Sequence, residues 1–252
     1  MTSDKLWGCN IETLVKWIFK DEQQGHIFGI HKDLFFVPTR THPFRMHRYG
    51  QLLETPLGVA AGPHTQLSQN LIAAWLTGAR YLELKTIQVL DELEVTKPCI
   101  DMADEGYNCE WSQELKLDQS FDEYLNAWIV LHILQDKFGW GSADASGFIF
   151  NMSVGYNLEG IQSPTVQRFL DRMADCSTEK EEKMLKYEMG VFMEHSMSPS
   201  AVAAIGVSAG RPNLPCAVAA AVTTFGGVHG PGAAHGYMLN KYLERAKKEG
   251  KT

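Results

Sequence analysis

A chain of 252 residues, 44% of them hydrophobic, can bury a substantial core as one large domain or two small ones. Its formal net charge of −7, without a long basic run, argues against a nucleic-acid backbone as the main partner. Cys9, Cys99, Cys109, Cys176 and Cys216 are scattered and form no C-x-x-C pair, which argues against a disulfide framework, a zinc site and an iron–sulfur cluster. The opening MTSDKLWGCN lacks the apolar core of a signal peptide, and the most apolar stretch, near Ala127–Leu134, is too short to span a bilayer. The expected compartment is therefore the cytoplasm, with no membrane contact.

Residues 10–21 predict a short amphipathic helix capped by Asn10, with Leu14, Trp17 and Ile18 on its buried face. From Gly25 to Glu54 the periodicity dissolves into aromatics and turn residues. Phe35, Phe36 and Phe44 are the expected anchors and Arg45 is expected to be exposed. His26, His31, His42 and His47 lack the helical i, i+4 spacing with an acidic third ligand, so no metal is expected there.

Leu57 to Leu90 reads as strand, turn, helix, strand: LGVAA, GPHTQ, LSQNLIAAWLTG, ARYLELKT. The first run is small and apolar, as a strand buried on both faces would be, and a parallel partner one helix later makes a βαβ unit. Ligands of β/α architectures sit at the carboxyl ends of the strands. There, Ala60, Ala61 and Gly62 would let backbone approach a flat ligand, and Lys85 and Thr86 would supply a charge and a hydroxyl. Spacing alone equally allows small residues that only let helix and sheet pack, and a lysine that is only a solvated strand end.

A long irregular region runs from Ile87 to Gln119. Loops of this length in a compact domain are usually binding loops or lids. Within it, Asn108 and Glu110 are candidate substrate contacts and Cys109 a candidate acid or nucleophile, against loop packing around Tyr107 and Trp111. Ser120 and Glu123 read as a capping box opening the helix FDEYLNAWIVLHILQDKF, whose apolar stripe should lie on a sheet. GFIFNMSVG predicts another apolar strand with Asn151 at its mouth, and Ser163-Pro164 caps a further helix. The charged run from Ser177 gives way after Ser198 to Ala/Gly/Val-rich sequence typical of close-packed helices. The expected domains are 1–190 and a helical segment, 191–252.

TPLGVAAGPHTQLSQNLIAAWLTGARYLELKT, KPCIDMADEGYNCEWS and FIFNMSVGYNLEGI closely resemble the N-terminal flavin barrel of the selenate reductase subunit family, a relative of dihydroorotate and dihydropyrimidine dehydrogenases. The similarity runs over about residues 10–185. It implies a (β/α)₈-derived α/β fold and an oxidoreductase. FMN would be held by Ala60, Ala61, Gly62, Lys85, Thr86 and Asn151, with a small-molecule substrate and either a homo-oligomer or a redox partner subunit. A full barrel takes roughly 250 residues, whereas the matching region supplies three or four strands, so a partial, TIM-barrel-like unit is expected.

The tail, EHSMSPSAVAAIGVSAGRPNLPCAVAAAVTTFGGVHGPGAAHG, is similar to the central segment of citrate synthases and citryl-CoA lyases. That similarity implies that His195 holds the carboxylate or hydroxyl of oxaloacetate and that His229 polarises or protonates its carbonyl. On the residues alone, His229 and His235 equally cap Gly/Ala helices. An acyl transferase or lyase, and a non-catalytic scaffold, are thus the alternatives to a flavin-dependent oxidoreductase.

Overall fold

The computed structural model describes residues 5–87, 97–101, 103, 107–108, 113–141, 145–155, 157–180 and 183. They fall into two compact units, one from residues 1–128 and 142–175, the other from residues 129–141 and from 176 onward. The expected boundary at 190 and the helical segment 191–252 lie outside the described residues.

In the first unit, Asn10 Oδ1 accepts the Thr13 N–H at 2.8 Å and starts α1, Ile11–Gln23. Ile11, Leu14, Val15, Ile18 and Phe19 are its buried face. Trp17, expected on that face, is instead 42% exposed and stands edge-on to Phe28 at 4.7 Å, because Val15 and Phe19 widen the apolar stripe away from it.

Within the stretch from Gly25 to Glu54 lie two small hairpins. Strand β1, His26–Ile27, pairs with β2, Ile30–His31, and β3, Met46–Arg48, pairs with β4, Gln51–Leu53, both antiparallel. Each turns on two residues of positive φ, Phe28-Gly29 (52° and 77°) and Tyr49-Gly50 (52° and 73°), as a two-residue turn matched to strand twist requires. Phe44, expected as an anchor, is 65% exposed, while Arg45, expected to be exposed, is half-buried with Nη1 donating to Thr39 O at 3.3 Å.

The βαβ unit is present: β5, Gly58–Val59, α2, Ser68–Leu76, and β6, Tyr81–Ile87, with β5 and β6 parallel and Gly58 opposite Tyr81. A two-residue antiparallel ladder, β7, Ile100–Asp101, with β8, Tyr107–Asn108, interrupts the region expected to be irregular. Then come α3, Leu117–Phe138, and β9, Ile149–Val154, which pairs parallel with β6. The sheet order is β5-β6-β9, and among the described residues it does not close into a barrel. As an edge strand there, β5 is not buried on both faces as expected. Leu57 is 61% exposed, Gly58 is exposed and Val59 is half-buried. Gly58 is needed for a different reason, since a Cβ there would meet Tyr81 O at 2.7 Å.

Arg80 ties the amino-terminal ends of the three strands together. Its N–H donates to Leu57 O at 2.9 Å, and its carbonyl accepts from Ile149 N at 2.8 Å. Its wholly buried guanidinium pairs with Glu54, whose own N–H donates to Gly147 O at 3.0 Å.

Helix α3 starts three residues before the expected capping box, and Ser120 lies inside it. Gln119 Oε1 accepts the Lys116 N–H at 2.9 Å instead, while Glu123 reaches to α2. On the sheet side, Trp128 stands edge-on to Phe148 and Phe150 at 5.1 and 5.3 Å, which seats the helix on β9 as expected. After α4, Leu158–Ile161, comes α5, Pro164–Ala174, capped as expected by Ser163 Oγ, which accepts the Val166 N–H at 3.4 Å.

In the second unit, Ile129, Val130, Leu131, Ile133 and Leu134 on the later part of α3 are buried. The helix ends at Gly139, φ +68°, where the Trp140 N–H donates to Gln135 O at 2.8 Å. Among the described residues no helix is long and apolar enough to cross a membrane.

Candidate functional site

The carboxyl ends of three parallel strands converge on the residues singled out in the sequence. Beyond β5, Ala60 is exposed, Ala61 half-buried and Gly62 buried. Gly62 is fully extended (φ −168°, ψ 179°), so its value there is the missing side chain and not a special dihedral. Pro63–Gln66 then form a single 3-10 turn packed against β6.

That turn is held by its own side chains. Thr65 Oγ1 accepts the Gly62 N–H at 3.1 Å and donates to Gly62 O at 3.0 Å. Gln66 Nε2 donates to Pro63 O at 3.3 Å, and Asn70 Nδ2 donates to His64 O at 2.9 Å. Gln66 Oε1 accepts the N–H groups of Glu114 and Leu115 at 2.9 and 3.2 Å, which fastens the start of the α3 segment to the turn. With Thr65, Gln66 and Asn70 each bonded to the backbone around it, the small-residue corner is set before any ligand arrives.

On β6 the register slips by one between Leu84, opposite Met152, and Ile87, opposite Val154. This is a bulge over Lys85 and Thr86, a device that re-aims side chains beside sites. Before it, Tyr81 and Glu83 are half-exposed and Leu82 and Leu84 buried. At it, Lys85 joins the buried set at 4% exposure and Thr86 takes up the half-exposed one. Tyr124 Oη donates to Lys85 O at 3.1 Å and pins the bulge. On the next strand, the Gly155 N–H donates to Ile87 O at 2.8 Å, and a Cβ on Gly155 would come within 3.2 Å of Thr86 Cγ2. Asn151 lies within β9 opposite Glu83, level with the middle of β6 rather than at the mouth expected for it.

Two buried carboxylates frame this end. Glu123 Oε2 accepts from Ser68 N and Ser68 Oγ, both at 2.7 Å, and Oε1 accepts from Cys9 N at 2.9 Å. Burial raises its pKa against these bonds. The amino end of α2, where a helix commonly holds a phosphate, is thus already filled by a carboxylate. Glu114 pairs with Lys97 at 2.5 Å, and Lys97 also donates to Cys99 Sγ at 3.3 Å. Burial pulls the Lys97 ammonium down, but Glu114 and Cys99 outweigh it and leave its pKa raised. The His64 pKa is lowered by burial, and its Nδ1 is sealed from solvent without a hydrogen-bond partner.

The structure therefore brings Ala60, Ala61, Gly62, Lys85 and Thr86 to one end of the sheet, with Asn151 lower on the adjoining strand. Cys109, His195 and His229 lie outside the described residues, as does Glu110. Among the described residues, no group of three or more His, Cys, Asp or Glu side chains could hold a metal ion. Sequence reasoning passed over Glu83, His64 and Gln66, and read Glu123 only as part of a helix cap. Period-two alternation in YLELKT gave Glu83 away, since it shares a face with Tyr81. Nothing local marked the true partners of Glu123, which lie 55 and 114 residues away in the chain.

Over 167 residues, 66% of this chain, the sequence is 51% identical to "Putative oxidoreductase YgfK" of Escherichia coli (strain K12) and equally to its counterpart in Escherichia coli O157:H7. The matched stretch covers only 16% of each relative's length. No solved structure matches the chain. The family model for the oxidoreductase YgfK N-terminal TIM-barrel domain matches residues 28–235, more than half of the chain and including the turn, bulge and strand ends described above. The chain belongs to the family of YgfK-type oxidoreductase N-terminal TIM-barrel domains.

Proposed function

We propose that the chain is a flavin-binding oxidoreductase domain of the dihydroorotate and dihydropyrimidine dehydrogenase type, with FMN lying across the carboxyl ends of β5, β6 and β9. The observation that carries this reading is the convergence of three features at that one end: the small-residue corner Ala60–Gly62, the bulge at Lys85 and Thr86, and the close approach of Gly155 to Thr86. Ala60, Ala61 and Gly62 would lie against the ring system, Thr86 and Asn151 would hydrogen-bond its polar edge, and Lys85 would supply positive charge beside it. When bound, the flavin accepts and returns a hydride equivalent. A buried ammonium nearby favours the negative charge that reduction puts on the pyrimidine edge, because little water screens it. The pinned turn and bulge keep that charge and the two hydroxyl and amide groups in place. The phosphate must be held elsewhere, because Glu123 fills the α2 terminus.

The purified chain is expected to be yellow, with flavin absorbance bands, or to quench the fluorescence of added FMN stoichiometrically. A lysine contact to a charged edge contributes about 1.5–3 kcal/mol, so Lys85→Met should weaken FMN binding about tenfold to a hundredfold. A colourless chain that leaves FMN fluorescence unchanged refutes the reading. Full FMN affinity in Lys85→Met removes the lysine from it.

A further inference from the structure

Glu83 has no role in the account above, and Asn151, given there a contact to the flavin edge, stands beside it on the sheet. Glu83 and Asn151 are partners in the parallel register of β6 and β9, so their side chains leave the same face of the sheet. The strands are about 4.8 Å apart, which puts a carboxylate and a carboxamide side by side. Both residues are half-buried. Among the described residues, Glu83 makes no hydrogen bond or ion pair, and Tyr81 lies two residues back on the same face. Tyr81 is itself engaged with Tyr49, and Tyr49 with Arg48 at 3.3 Å, so the neighbouring polar groups are already satisfied by one another. Thr86 continues this half-exposed row toward the strand ends.

A half-buried carboxylate without a protein donor keeps its accepting oxygens open to water or to a ligand. The matching face of a barrel strand is ordinarily filled by branched apolar side chains; here Ile149 is one, opposite Tyr81, but the next pair along is Glu83 and Asn151. A fixed carboxylate repels anions and accepts only from groups that carry hydrogen, most strongly from a planar cation that offers two N–H donors. The carboxamide beside it can donate to, or accept from, an adjoining group.

We infer that Glu83, with Asn151 beside it, is a binding pair on the sheet face that selects a substrate presenting an amidine or similarly nitrogen-rich cationic group, and disfavours carboxylates. This deepens the flavin reading by naming a substrate class for the same sheet, and it rests on that reading only for the claim that the bound molecule is a substrate.

The test uses the whole 252-residue chain and three probes of one shape, benzamidine, benzamide and benzoate, by calorimetric titration. Binding is expected in the order benzamidine, benzamide, benzoate. Glu83→Gln, with its melting temperature recorded, should weaken benzamidine at least tenfold and narrow the gap to benzoate. Benzoate binding as tightly as benzamidine, no benzamidine binding, or equal benzamidine affinity in a folded Glu83→Gln overturns the inference. Should the variant not fold, the comparison of benzamidine with benzoate on the unsubstituted chain decides alone. A parallel FMN titration of the unsubstituted chain separates the two ideas. Flavin binding without charge discrimination sinks only the pair, and discrimination without flavin binding sinks only the cofactor.

Discussion

Arg80→Met tests whether the sheet is held from its amino-terminal edge. The Arg80 side chain is fully buried, with Nε on Glu54 Oε2 at 2.5 Å and Nη1 donating to Trp75 O and Ala79 O at 2.6 and 3.0 Å. The guanidinium also lies 4.8 Å from the Trp75 ring centroid and 5.1 Å from that of Phe36. Burial lowers the Arg80 pKa and Glu54 opposes the shift, and since a guanidinium stays charged, the carboxylate's part is to compensate the buried cation. Methionine fills much of the volume but leaves Glu54 buried and unpaired beneath Gly147, where there is no room to swing away, since a Cβ on Gly147 would already lie 2.6 Å from Glu54 Cδ. Breaking one side of a buried pair costs about 3–5 kcal/mol. In a chain of this size each kcal/mol lowers Tm by roughly 2–4 °C, so thermal denaturation followed by circular dichroism should show a fall of about 6–20 °C. Adding Glu54→Gln removes the stranded charge and should recover a substantial part of the loss. A single variant within about 2 °C of the parent, or a double variant no better than the single, would refute the argument, on the same scale.

Two further outcomes follow from particular contacts. Gly155→Val places a branched side chain where even a Cβ sits 3.2 Å from Thr86 Cγ2, so the mouth should close and FMN quenching should fall at least tenfold while the far-ultraviolet spectrum holds; unchanged quenching would show that the corner is not the ligand's floor. His132 in the second unit has its pKa pushed down to about 4 by burial, with the Lys180 charge adding to it. A depressed histidine means that the unfolded chain binds the extra proton between roughly pH 6.5 and pH 4, so stability is full above that window and is lost as pH falls through it. The loss is on the order of 3 kcal/mol. His132→Gln should flatten that part of a urea-denaturation pH profile, and an equally steep profile in the variant would count against the assignment.

What the sequence disclosed and what it hid divide along a physical line. The βαβ unit, the capped helix at Ser163 and the apolar run into β9 rest on local signals, turn chemistry and periodicity, and all three are present. The two hairpins were missed because their turns are Phe-Gly and Tyr-Gly, without the Asn or Asp that usually announces a residue at positive φ. Glu123 was misassigned because the capping-box pattern is local while its partners, Ser68 and Cys9, come from distant segments that only the fold brings near. The burial of β5 was overestimated because a run of small residues reads the same at the edge of a sheet as at its centre.

The bulge on β6 joins these two classes of information. In the alternation YLELKT, Glu83 and Lys85 belong on one face, and a ladder without irregularity would keep them there. One extra residue between Leu84 and Ile87 sends Lys85 into the buried set and hands its place in the half-exposed row to Thr86. The consequence is a separation of charges: the ammonium is sequestered at the strand end, while the carboxylate of Glu83 remains on the sheet face with Asn151. Had the strand been regular, Lys85 would stand next but one to Glu83 on one face, within reach of an ion pair with it. On the proposed flavin reading, the bulge would set Lys85 beside the ring at the strand end and leave Glu83 on the sheet face.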